Sequence, residues 1–171
     1  MSSASVRAAV AAYITAAALP NLTAFFAELP FDMEDVPYDD FTTAGSTMDA
    51  IGAVFVDTES DQFIAFDGAG GRREVTYEIS VELLLWDTSG DPVVAQGAYD
   101  ALVDALKFLL RTDPQLGTAV TPGIAGNNGI IQAAVDRLAT DYGRPVRIGD
   151  GDTWACWAGV RFNVQTFEFS T

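Results

Sequence analysis

Three short segments carry residue types that could do chemistry. Residues 68 to 73 read Gly-Ala-Gly-Gly-Arg-Arg, and a glycine-rich backbone beside arginine side chains can hold a phosphate. The acidic residues 57 to 61 and 150 to 152 offer carboxylates of the kind that bind Ca²⁺. Cys156 is the single thiol of the chain and could serve as a nucleophile.

None of these segments has the spacing that its chemistry needs. Residues 68 to 73 lack the order of a dinucleotide or P-loop fingerprint and precede a strand pattern, not a helix. The acidic turns lack the ligand spacing and terminal glutamate of a calcium loop. Cys156 lies between two tryptophans on the inward face of a predicted strand, and the chain has no histidine to activate it. We therefore expect no enzyme activity, no metal and no cofactor.

The chain is strongly acidic, with 24 Asp and Glu residues against 9 Lys and Arg residues and a formal net charge of −15. No base lies between Arg7 and Arg72, a stretch that holds eleven acids. Such a chain repels phosphate, which disfavours tight nucleic-acid binding and attachment to an anionic membrane. The acids serve either solubility or a surface that lies near a polyanion or docks on a basic partner. No apolar run is long enough to span a bilayer.

Hydrophobic periodicity predicts the elements that would position these residues. The predicted helices are residues 5 to 19 with Ser5 as N-cap, one or two turns at 22 to 29, and a helix from Pro92 to the region of Arg111 with Asp91 as N-cap. The predicted strands are a hairpin of 51 to 56 and 63 to 66 around the acidic turn 57 to 61, a long strand at 75 to 85, and a last strand from 154 to 164. Residues 117 to 129 are a glycine-rich loop, and residues 130 to 142 fit either a helix or a strand.

These elements predict one α+β domain over residues 1 to 171, an antiparallel-rich mixed sheet with helices packed on one face. Residues 30 to 47 have a loop composition, and we expect an extended acidic arm at residues 30 to 50. The outer face of the first long strand becomes apolar at its end, which predicts contact with another element or another subunit. Two phenylalanines at the end of the last strand are on the wrong face for its register, so either a bulge turns them inward or they meet a partner. The apolar residues at these ends are Leu84, Trp86, Phe167 and Phe169.

The order of the elements and their local sequences resemble the tail terminator (tail completion) proteins of long-tailed bacteriophages. The segments that carry the resemblance are REVTYEISVEL at 73 to 83, AYDALVDALK at 98 to 107, DPQLG at 113 to 117 and GDGDTWA at 149 to 155. The resemblance covers roughly residues 70 to 169, and the first 70 residues match less clearly.

The resemblance implies a structural virion protein that forms a hexameric ring with a curved sheet. The ring would cap the last layer of the tail tube, end its polymerisation and form the joint to the head connector, while DNA passes through without specific binding. The implied partners are other copies of the chain, the tail tube protein and the head-tail connector protein. The implied location is the head-proximal end of the virion tail, after assembly in the host cytoplasm.

The acids of the first half are then candidates for residues that face the ring opening or a neighbouring ring. These residues are Asp57, Glu59 and Asp61 in the predicted turn, and Asp32, Asp35, Asp39 and Asp40 in the predicted arm. Two other virion roles fit as well, a head-tail adaptor or stopper and a tail tube subunit. Outside virions, the alternatives are a small ligand-binding α+β module of a bacterial cell and, behind it, an enzyme.

Overall fold

The computed structural model of the 171-residue chain describes residues 2 to 32, 35 to 65, 71 to 117, 129 to 133, 137 to 148 and 151 to 170. Within these residues it contains two α-helices, a 3-10 helix and seven strands. In chain order they are α1 (Ser3–Ala16), β1 (Leu22–Phe26), the 3-10 helix (Tyr38–Phe41), β2 (Met48–Ala65), β3 (Gly71–Asp87), α2 (Pro92–Thr112), β4 (Gly129–Ala133), β5 (Ala139–Tyr142), β6 (Val146–Ile148) and β7 (Thr153–Ser170).

The strands form one mixed sheet in the order β1-β2-β3-β7, and β4, β5 and β6 pair one after another along the far edge of β7. Only the pairing of β1 with β2 is parallel in the described residues, and the other pairings are antiparallel. Both helices contribute to one core on one face of the sheet. The predicted α+β class, with an antiparallel-rich mixed sheet and helices on one face, is confirmed.

The helix-covered face, called the inner face below, holds the main core. It is formed by alternate residues of β3 and β7 because successive side chains of a strand point to opposite faces. Fully buried residues of this core include Val75, Tyr77, Ile79, Val81, Leu83, Leu85, Cys156, Ala158, Val160 and Val164 on the strands, and Val6, Val10, Ile14, Tyr99, Leu102, Leu106 and Leu110 on the helices. The alternation predicted for the two long strands is confirmed.

The ends of the two helices follow from their capping residues. The backbone N–H of Val93 donates to Asp91 Oδ1 at 2.9 Å, and Pro92 begins α2, as predicted. In α1 the N-cap is Ser2, whose Oγ accepts a hydrogen bond from the N–H of Ser5 at 3.3 Å. The predicted N-cap at Ser5 was therefore wrong by one turn, since three nearby serines give the same local signal.

Three predicted elements differ in the structure. Residues 51 to 65 belong to one continuous strand, β2, so the predicted acidic turn at 57 to 61 is wrong. Residues 22 to 26 form β1, because parallel pairing with β2 overrides a short helical pattern. The ambiguous residues 130 to 142 contribute strands β4 and β5. Most of the predicted glycine-rich segments at 68 to 71 and 117 to 129, and the first half of the turn at 149 to 152, lie outside the described residues.

Candidate subunit interface

The apolar end of the outer face of β3 is covered by the chain itself. Leu84 and Trp86 are only 8% and 2% exposed, and they form a second core with Val36 and Ile51. The ring of Trp86 meets that of Tyr38 edge to face at a centroid distance of 5.2 Å. The structure therefore corrects the expectation that Leu84 and Trp86 are left for a subunit contact. Of the two predicted contacts, with another element or with another subunit, the structure shows contact with another element of the same chain.

That covering element is the segment that was expected to be an extended arm. Its apolar side chains, Phe31, Val36, Tyr38 and Phe41, pack on the sheet as part of the second core. Residues 48 to 50 of the predicted arm already belong to β2. The described part of residues 31 to 41 therefore lies along the sheet, and its acidic side chains point to solvent because the apolar ones face inward. The exposed acids are Asp32, Asp35, Asp39 and Asp40.

Of the two phenylalanines at the end of β7, Phe167 lies on the outer face. The register between β3 and β7 is unbroken from Gly71 to Asp87, so β7 has no bulge against β3 that would turn them inward. Phe167 is partly exposed, and the Arg72 guanidinium lies 4.4 Å from its ring centroid. The side chain of Phe169 lies outside the described residues. Phe167 thus remains a candidate contact, partly covered by a cation from its own sheet.

The three acids of the predicted turn lie in the middle of β2. Asp57 occupies a bulge, because the register with β3 shifts between Val56 and Thr58. Glu59 and Asp61 share one base on the neighbouring strand: Arg73 Nε lies 2.8 Å from Asp61 Oδ2, and its guanidinium lies 4.0 Å from Glu59 Oε1. The side chains of Glu59 and Asp61 are about half exposed, and Asp57 is exposed as well. An edge strand tolerates such charges, which also discourage unwanted pairing.

The outer edge of β2 is open over most of its length. β1 pairs with β2 only from Ala50 to Ala53, and in the described residues no strand pairs with the outer edge of residues 54 to 65. Phe63 adds apolar surface here, at 63% exposure, with its ring lying over Gly71. We call residues 54 to 65 the β2 edge. Unpaired backbone groups in a row are a template for another strand.

A notch opens where β1 ends and the β2 edge begins. Its volume is about 410 Å³, and Val54, Phe55, Phe31 and Leu29 are among its lining residues. Its charged residues are three acids and one base, Glu28, Asp32, Glu82 and Arg7. Arg7 Nε is buried and has no hydrogen-bond partner in the described part of the chain. We call this site the acidic notch. Its residues come from four separate segments, so no local sequence pattern predicts it.

The opposite edge of the sheet is basic. Residues 137 to 148, which contain β5 and β6, hold three arginines and one aspartate in an otherwise acidic chain. Arg147 is engaged by Asp152 at 3.2 Å and Asp141 by Arg161 at 2.7 Å. Arg137 and Arg144 are exposed and make no salt bridge with any described residue. Tyr142 and Val146 expose apolar surface beside them, at 50% and 62%. We call residues 137 to 148 the basic edge.

The single thiol of the chain is buried in the main core. Burial raises the pKa of the Cys156 thiol to about 11, with a smaller contribution from Asp100. The predicted inward position of Cys156 is confirmed, and a thiol with a raised pKa is a poor nucleophile. Among the described residues, no three His, Cys, Asp or Glu side chains come together in a way that could hold a metal ion. In the same part of the chain, no helix combines the length and apolar character needed to cross a membrane.

Comparison with known proteins identifies no family for this chain. No protein-family model and no curated protein matches the sequence. Among solved structures, a chain from the virion of a native gene transfer agent particle is similar over 94% of this chain and 94% of that chain, at 17% identity and a TM-score of 0.31. A TM-score of 0.31 is below the level at which a shared fold can be inferred, so the likeness identifies no family for this chain.

Proposed function

We propose that this protein is a structural component of a virion. It assembles as a ring that caps the tail tube, ends the polymerisation of the tube and joins the tube to the head connector. The observation that carries the proposal is the pair of open edges on one sheet, acidic at the β2 edge and basic at residues 137 to 148. Two different patches on one subunit make head-to-tail contacts, and such contacts generate rings when the rotation closes. The sequence resemblance to tail terminator proteins supplies the specific role.

The outer face of the sheet suits the lining of a channel through which DNA passes. Beyond the second core this face is largely polar, with Phe167 and the Arg72 guanidinium at one end, and β3 places Glu74, Glu78 and Glu82 along it at every fourth residue. Neighbouring strands hold two of these carboxylates: Thr58 donates to Glu78 at 3.1 Å, and Gln165 donates to Glu74. A surface of acids and hydroxyls repels phosphate and so leaves DNA mobile. In this proposal the protein has no enzymatic activity, and DNA passes through without specific binding.

A tail tube subunit or a head-tail adaptor is the second candidate, favoured by the long β2–β3 pair. Removal of the gene from a strain that produces the particles separates the roles. Loss of a terminator should leave tails that are not joined to heads and whose length is no longer limited. Loss of a tube subunit should leave no tubes at all, and loss of an adaptor should leave tails of normal length. Particles of normal form and infectivity would contradict the proposal.

A further inference from the structure

The acidic notch and the basic edge lie at opposite ends of one row of residues across the sheet. Val54, in the notch, pairs with Val81 on β3, Val81 pairs with Val160 on β7, and Val160 pairs with Thr140 on β5. A second copy displaced along this row, perpendicular to the strands, brings its β5 towards the notch of the first. The two sites are therefore placed for a head-to-tail contact between copies of the chain.

The charges at the two sites are complementary. The notch holds three acids and one base, which leaves two negative charges. On the basic edge, Arg147 and Asp141 are neutralised by their own partners, which leaves the two positive charges of Arg137 and Arg144. No basic segment of comparable exposure lies in residues 8 to 71, where the sequence has no Lys or Arg. The match in number and sign favours a partner that carries the basic edge, and a second copy carries it.

The backbone groups at both sites are also unpaired. The β2 edge continues from the notch, and in the described residues β5 and β6 pair only with β7. Two open edges can add strand to strand, and the exposed side chains of Tyr142 and Val146 would cover the apolar wall of the notch. Each further copy repeats the same contact. A twisted sheet that is extended in this way closes into a ring when its strands are tilted relative to the ring axis.

We propose that Arg137 and Arg144 of one copy dock in the acidic notch of the next copy, beside Glu28, Asp32 and Glu82, and so join neighbouring sheets edge to edge. This inference rests on the ring of the proposed function and names its subunit contact. Arg7 stays in the notch as a fixed base that limits it to two incoming charges.

The first test compares two variants of equal net charge. Arg137→Gln with Arg144→Gln removes the two docking charges, and Val93→Glu with Phe108→Glu makes the same change of two charges at exposed positions of α2. Sedimentation or native mass spectrometry of the purified chain over a concentration series measures self-association. We expect the arginine variant to associate about tenfold more weakly, because two lost charge pairs multiply, and the α2 variant to match the wild type within about twofold. Equal association of the arginine variant and the wild type would overturn the proposal.

A charge exchange between two variants supplies the second test. Arg137→Glu with Arg144→Glu and Glu28→Arg with Asp32→Arg should each associate poorly alone, since like charges meet at the contact. When the two variants are mixed, the basic-edge site of one variant and the notch of the other carry opposite charges again. The mixture should therefore form complexes that contain both variants. Circular dichroism of each variant shows whether it is folded. Folded variants that associate no better in the mixture than alone would refute the contact.

Crosslinking captures the contact even where association is weak. In a Cys156→Ala background, Glu28→Cys with Arg144→Cys should form a series of linked multimers on mild oxidation at high protein concentration. The matched pair Val93→Cys with Arg144→Cys should give only collisional dimers. Equal products from both pairs, or no multimers from the first, would overturn the inference. If particles made with the arginine variant still contain the ring, only this subunit contact is rejected. If the wild-type chain is found in no ring, the proposed function is rejected.

Discussion

Trp86→Ala tests whether the second core is built within one chain or between subunits. Trp86 is 2% exposed, and its indole holds the Tyr38 ring and the segment of residues 31 to 41 on the sheet. Truncation of a buried tryptophan costs about 3–5 kcal/mol in the free energy of unfolding. We expect the lower end, about 3 kcal/mol, because a surface segment can settle partly into the space. The midpoint of thermal unfolding should then fall by roughly 6–12 °C.

The assay is unfolding in urea followed by circular dichroism, at two protein concentrations at least 50-fold apart. Because the contacts of Trp86 lie within one chain, the loss of stability should be the same at both concentrations. Phe108→Ala is the control, since that side chain is 75% exposed and its removal should change stability by about 0.5 kcal/mol or less. A Trp86→Ala loss below about 1 kcal/mol, or one that appears only at high concentration, would refute burial within the chain.

Three further predictions concern the main core, the thiol and the acids. Phe162→Ala, at a side chain 3% exposed in the main core, should lower the free energy of unfolding by about 3–5 kcal/mol in the same urea assay, and a change under 1 kcal/mol would contradict its burial. Cys156→Ala should fold and assemble normally at a smaller packing cost. Because the folded-state pKa of the wild-type thiol is raised to about 11, the thiol's contribution to stability is complete below the ordinary thiol pKa and is lost as the pH rises from there to about 11. The variant should not show this loss. Replacement of four acids by lysine should leave the chain folded but give particles that join poorly or eject DNA slowly, with the defect easing at higher salt, and normal infectivity would show that these acids only confer solubility; the positions are the exposed Asp35, Asp39, Asp40 and Asp57.

The sequence predicts best where one physical signal dominates. In β3 and β7 apolar residues alternate with polar ones over many positions, and only a half-buried strand has that period. In α2 the cap Asp91 and the following Pro92 mark the start, and the apolar stripe marks the buried face. These elements were predicted correctly because local chemistry and tertiary packing favour the same conformation.

The elements and residues that the sequence predicts wrongly depend on contacts with distant parts of the chain. The acids at 57 to 61 have the composition of a turn, and they fit a strand only because β3 pairs along its whole length and places Arg73 beside them. Leu84 and Trp86 look uncovered because their cover comes from Val36 and Tyr38, nearly fifty residues earlier. Arg137 and Arg144 become a candidate site only when the sheet order places them opposite the acidic notch. Residue spacing carries none of these long-range placements.

The position and copy number of the chain in intact particles test the central claim most directly. Cryo-electron microscopy of particles, with quantitative mass spectrometry of the same sample, gives both values. If the protein caps the tail tube, it should form a single ring at the head-proximal end of the tube, with a copy number that does not change with tail length. Copies in every layer of the tube, a monomer outside any ring, or no copy in the particle would contradict it.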